Sequence, residues 1–195
     1  MVTISEDIWN FDLEAALAEI SEQRREQALK FKHELGQRTC VLAYQLLRQL
    51  LREEFGFTDL PVFEYGAHGK PAIIGRPDIH FNLSHCRRAV VCAVSHQPIG
   101  IDVESIREYK ESLARYTMND EELQQISSAP RPDEAFVRLW TMKEAALKLI
   151  GTGISNDLKP VLTDHPHFHF TTHVAPQYIY TVCDHDYSGR DIRST

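Results

Sequence analysis

A long helix followed by several short strands is written twice into this sequence, and that repeated order is its strongest constraint on fold. Leu42, Leu46 and Leu50 stand at i, i+4 and i+8, with Leu47 and Leu51 widening the face. Residues 35–55 are therefore predicted as an amphipathic helix ending at Gly56. Short apolar stretches at 62–65, 72–74 and 79–84, broken by Gly and Pro, read as strands, and the near-continuous apolar run 89–95 reads as a buried one. A Gln97-Pro98 turn leads to another strand at 99–104. The second half has the same outline. Asn119 and Glu122 have capping-box spacing for a short helix, residues 127–132 break it, and 133–149 form a long helix closed by Gly151. Strands are expected near Val161, over 167–174 and over 178–183. Upstream, Asp12 caps a helix reaching Ile20, and 22–33 is helical in propensity. The fold class is thus α+β in two similar halves, 1–98 and 99–184, with 185–195 expected as a flexible polar tail.

At 195 residues, with 43% hydrophobic and 25% charged, the chain is long enough to bury a core without staples. Its 28 acidic and 21 basic residues leave a net charge of −7, which argues against a nucleic-acid partner. Four cysteines with no CxxC spacing read as free thiols in a reducing cytoplasm. The start of the chain lacks the basic and apolar regions of a signal peptide, and no apolar run approaches the ~20 residues of a membrane-crossing helix.

Residues two apart on a strand share a face. In Gly100-Ile101-Asp102-Val103-Glu104 the two carboxylates therefore project together, while Ile101 and Val103 face the core. Carboxylates this close repel, and a hard divalent cation removes the conflict. The same pair also suits a solvent-facing edge. On the helix that follows, Trp140, Glu144 and Lys148 share one face with Lys143 beside them, which is either a site or an ordinary surface Glu–Lys pairing. Ser84 and His85, within Phe81-Asn82-Leu83-Ser84-His85-Cys86, are strand neighbours and point to opposite faces. They cannot form a nucleophile–base pair, and read either as separate donors to an anion or as a polar strand end. His68-Gly69-Lys70-Pro71 holds a lysine on a stiff turn. Arg24, Arg25, Lys30, Lys32 and Arg38 suit phosphate, or a solvated helix face. His165, His167 and His169 alternate as zinc ligands on a strand would, but Pro166 interrupts them, and they read as surface or core histidines.

Taken in order, HGKP, FNLSH, GIDVE and WTMKEAALK make residues 24–154 resemble the 4′-phosphopantetheinyl transferase superfamily, in its Sfp-like, single-chain form. The resemblance implies two α+β halves about a pseudo-twofold axis, with the active site in the cleft between them. It implies an enzyme that uses Mg2+ and moves 4′-phosphopantetheine from coenzyme A to a serine of an acyl or peptidyl carrier protein, releasing adenosine 3′,5′-bisphosphate. By matched position, Asp102, Glu104 and Glu144 would hold the magnesium, Glu144 would also be general base, and Lys148 would meet the coenzyme A diphosphate. Lys70, Ser84 and His85 match positions on the nucleotide phosphates, and Arg38 matches a basic residue near the 3′-phosphate. Lys143 is grouped with these coenzyme-binding residues, and Cys86 stands where many members have serine. A cytoplasmic monomer without nucleic-acid or membrane partners is expected. The alternatives are a non-catalytic module binding coenzyme A or a carrier protein, which has no need of a third carboxylate, and a metal-dependent hydrolase built on the histidine stretch.

Overall fold

The computed structural model describes residues 1–153 and 157–185. Its elements are β1 (Val2–Ser5), α1 (Leu13–Ala18), α2 (Glu22–Leu29), α3 (Glu34–Phe55), β2 (Phe63–Tyr65), β3 (Pro71–Ile73), β4 (His80–His85), β5 (Val90–Ser95), β6 (Gly100–Ser105), α4 (Glu111–Thr117), α5 (Asp120–Ser128), α6 (Pro132–Ile150), α7 (Val161–Asp164), β7 (Phe168–Val174) and β8 (Tyr178–His185). The fold is α+β. Two antiparallel three-stranded sheets, β1-β5-β4 and β6-β8-β7, are accompanied by a β2-β3 hairpin.

The two long helices form for the reasons written in the sequence. α3 buries its leucine face and stops at Gly56, whose φ of 60° places it in the left-handed region that suits glycine. Leu47 and Leu51 are wholly buried there, and such burial is worth about 1.5–3 kcal/mol per side chain. α6 opens with Pro132 and two acids, carries Lys148 in its last turn, and ends at Gly151 with φ 82°.

β5 explains its own apolar run. Val90, Cys92 and Val94 pack with α3, while Val91 and Ala93 join Ile101, Val103, Tyr178 and Val182 in a second cluster. Both faces of the strand are covered, so no polar position alternates through it. α6 packs against β6 and β8. The contact is closest at Gly100, where a Cβ would lie 2.0 Å from the Ala145 carbonyl oxygen and 2.6 Å from the Leu149 nitrogen. Only glycine lets strand and helix backbones touch, and this carries Glu144 and Lys148 down to β6.

Some expectations are corrected. β1 was not anticipated; it is held by pairing with β5, from Val2↔Ala93 to Ser5↔Val90. α4 was not anticipated either. The region near Val161 is a single helical turn after Pro160, with Leu158 and Val161 packed against α6. α2 ends at Leu29 instead of reaching residue 33, and α1 ends at Ala18. Just beyond α2 the Phe31 ring lies across α3, within 2.6 Å of where a Gly36 Cβ would stand. His185 closes β8 opposite Phe168; the remainder of the expected tail lies outside the described residues. Among the described residues no helix is long and apolar enough to cross a membrane.

Candidate active site

The site begins with an ammonium group lowered onto a strand. Lys148 Nζ donates to Asp102 Oδ1 at 2.6 Å, to Ser84 Oγ at 2.9 Å and to the Ile101 carbonyl at 3.3 Å. Ser84 Oγ donates to the same Asp102 oxygen at 2.8 Å and accepts the Val103 N–H at 3.3 Å. With one proton and two lone pairs, that hydroxyl is fully engaged. Two residues earlier on β4, Asn82 Oδ1 accepts the Ile101 N–H at 3.1 Å.

Glu144 stands one turn before Lys148. It is buried, and its Oε1 has no hydrogen-bond partner among the described residues. Burial pushes its pKa above the usual carboxylate range, as do the charges of Asp102 and Glu104, while Lys148 pulls the other way. Glu104 is likewise raised by burial and by Asp102, against the pull of Arg107 at 3.7 Å. Three carboxylates that the sequence separates therefore feel one another here.

A cavity of about 300 Å³ opens beside them, lined by the His68–Pro71 turn, Asn82 and Leu83 of β4, and Glu144, Leu147 and Lys148 of α6. Lys70 enters from the turn. Its Nζ donates to the Leu149 carbonyl at 2.8 Å, and burial lowers its pKa. His85, exposed on the strand face opposite Ser84, is lowered by partial burial of its ring and by the charges of Lys148 and Arg24, against Asp102. Arg24 is the further basic residue whose charge reaches His85. The sequence grouped it with four other basic residues, and only the packing of α2 on α3, where its guanidinium holds the Cys40 carbonyl at 3.1 Å, brings it toward His85.

Two expected ligands stand elsewhere. Lys143 does not join Lys148: five residues at about 100° each leave it about 140° round the helix, on another side of α6. It is 1% exposed, with Nζ 2.8 Å from Glu122 Oε2, 2.8 Å from the Leu158 carbonyl and 3.2 Å from that of Lys159. Arg38 is bound to Glu34 at 2.8 Å and to the Phe11 carbonyl at 2.9 Å, with its guanidinium over Trp9 and Phe11, and it does not line the cavity. The three histidines do not share a strand face. His165 and His167 precede β7 and pack around Phe168, and His169 pairs with Asp184 at 3.3 Å.

Hard oxygen donors, an orphaned buried Glu144 oxygen and mutual repulsion make Asp102, Glu104 and Glu144 a fit for a divalent cation. Lys148 takes the Asp102 oxygen as the side chains stand, and among the described residues no three His, Cys, Asp or Glu side chains are grouped to hold an ion.

Comparison with known proteins bears on the family. Residues 98–192 match the model of the 4′-phosphopantetheinyl transferase superfamily. The chain is 36% identical over 142 residues to 4′-phosphopantetheinyl transferase psf-1 of Bacillus pumilus, covering 71% of this chain and 61% of that one. It is 32% identical over 139 residues to 4′-phosphopantetheinyl transferase Sfp of Bacillus subtilis strain 168, covering 70% and 62%. It is 33% identical over 152 residues to 4′-phosphopantetheinyl transferase HetI of Nostoc sp. PCC 7120, covering 73% and 64%. The likeness is thus to the 4′-phosphopantetheinyl transferase superfamily over residues 98–192, and to proteins named 4′-phosphopantetheinyl transferase over 70–73% of this chain. The matched part spans less than two thirds of the length of these relatives.

Proposed function

We propose that this chain transfers 4′-phosphopantetheine from coenzyme A to a serine hydroxyl of an acyl or peptidyl carrier protein. The serine oxygen forms a bond to the β-phosphorus, the bond from that phosphorus to the bridging oxygen breaks, and adenosine 3′,5′-bisphosphate leaves. The observation that carries the reading is Glu144: a buried carboxylate with a free oxygen, raised pKa, and Lys148 and two further carboxylates around it. Such a group is built to take a proton from an attacking hydroxyl, help typically worth ~10²–10⁴-fold. Lys148 and Lys70 supply the positive charge that orients a diphosphate, Arg24 extends it toward further phosphate, and His85 offers a neutral ring N–H as donor. Asp102, Glu104 and Glu144 would hold Mg2+, which when bound neutralises charge on the phosphate oxygens. Residues 1–98 and 99–184 act as two halves with the site in the cleft between them; α3 on the first sheet and α6 on the second support that division. Every group named comes from one chain, which suits a monomer, and four buried free thiols suit the cytoplasm.

The test is incubation with coenzyme A, Mg2+ and a panel of apo-carrier proteins, read by mass spectrometry. Glu144→Gln should lower transfer at least ~10²-fold, while the metal-free variant melts at the same or a higher temperature because one repelling carboxylate is gone. Near wild-type turnover would exclude Glu144 as base and ligand. Coenzyme A binding with no transfer to any carrier would favour a binding module.

A further inference from the structure

We propose that Asn82 is a positioning residue of the transferase site, setting β6, and with it Asp102 and Glu104, against β4. The proposal rests on the transfer reading above. β4 and β6 belong to different sheets, yet they pack side by side. β6 ladders with β8 along one edge, and the Ile106 N–H continues that side by bonding Gln177. The N–H groups of Ile101 and Val103 point to the other edge, toward β4, where the main chain offers no ladder. Side chains take its place: Asn82 Oδ1 accepts from Ile101 at 3.1 Å and Ser84 Oγ from Val103 at 3.3 Å.

The match is geometric. Side chains two apart on β4 share a face, and N–H groups two apart on β6 share an edge, so both contacts repeat in step. All four residues are buried, so an N–H left without its acceptor would find no water. Ser84 also holds Lys148 and Asp102, and replacing it disturbs the charges directly. Asn82 also lines the cavity, but its Oδ1 bonds the strand backbone, so Ile101 exchange reports placement while KM reports any contact with the coenzyme.

The experiment uses the full chain. Amide hydrogen exchange at Ile101 and Val103 is followed by NMR, alongside kcat and KM for coenzyme A. Asn82→Ala should speed Ile101 exchange at least ~10-fold relative to Val103, the lower range of what losing a buried acceptor costs. It should lower kcat by a similar factor and leave KM within about threefold. Asn82→Ser should restore both readings, because the Ser84 hydroxyl already spans the same gap. If Asn82→Ala does not fold, Asn82→Val, strand-suited and without an acceptor, takes its place. Unchanged Ile101 exchange overturns the proposal, as does a released Ile101 with wild-type kcat, or a serine variant no better than alanine. A wild-type chain that transfers nothing fails the functional reading instead, and the exchange contrast still decides whether Asn82 holds β6.

Discussion

Lys143→Met separates two roles for a lysine adjacent to the proposed base. In the structure its ammonium is sealed between Glu122 and the carbonyls of Leu158 and Lys159, tying α6 to α5 and to the chain beyond residue 156. Methionine keeps the length and apolar stem and deletes the charge. Glu122 is 5% exposed, so it would be left as a buried, uncompensated anion, a change that costs about 3–5 kcal/mol. For 195 residues the unfolding entropy is about 0.4 kcal/mol/K, so the melting temperature should fall by about 7–12 °C. Adding Glu122→Gln removes the stranded charge while keeping an oxygen for the Asn119 N–H, and should recover at least half of the loss. Thermal melts and urea titrations read the stability, and KM for coenzyme A reads the alternative. A structural lysine leaves that KM within about twofold of wild type in whatever fraction remains folded. A melting temperature within about 2 °C of wild type, together with a tenfold rise in KM, would refute the buried-pair account and return Lys143 to the coenzyme.

Gly100→Ala should destabilise by at least about 1–3 kcal/mol in urea titrations. It should also lower kcat at least tenfold, since α6 must move away and lengthen the 2.6 Å Lys148–Asp102 contact; wild-type kcat would show that the helix need not touch the strand. Tyr178→Phe deletes the 2.6 Å bond to Glu6 and should cost about 1.5 kcal/mol at pH 7. Burial and Glu6 raise the Tyr178 pKa, so the folded phenol keeps a proton that the unfolded one loses above about pH 10. Wild-type stability therefore falls as pH rises past that point, and the gap to the variant should narrow in alkaline melts, whereas a constant gap would contradict the shift. Leu113 borders an open cavity of about 340 Å³ beside Glu104, lined also by Tyr109, Phe136 and Trp140. Leu113→Ala should raise KM for the carrier protein about fivefold and leave that for coenzyme A unchanged; equal rises in both would make the residue structural.

Local signals were legible and distant ones were not. α3 follows from leucine spacing and both α3 and α6 end at the glycines expected of them, and the Asn119–Glu122 capping box forms as its spacing predicts. β1 escaped because four residues have no periodicity of their own and gain their structure from β5. α7 escaped because Val161-Leu162-Thr163 has strand propensity, overridden by packing on α6. The carboxylate pair on β6 could be read from alternation, and its approach to Glu144 from the resemblance. Lys143 stands beside Glu144 in sequence but on another side of α6 in space, where its ammonium meets Glu122, a placement that sequence adjacency does not encode. The saturated hydroxyl of Ser84, the link through Asn82 and the close approach at Gly100 depend on pairs of elements meeting, which no single segment encodes.

The two-sided burial of β5 bears on whether the chain can be divided. A polypeptide cut after Pro98 would keep α3 over Val90, Cys92 and Val94, but would turn Ala89, Val91, Ala93 and the flank of Ile4 out to water. The complementary piece would bare Ile101, Val103, Tyr178 and Val182. Neither fragment would survive alone as a well-behaved monomer, and each would seek an apolar sheet face like the one it lost. Co-expressed, the two should find each other and rebuild the contact between β5 and β6, so this chain is a candidate for a split reporter read by the transfer proposed for it.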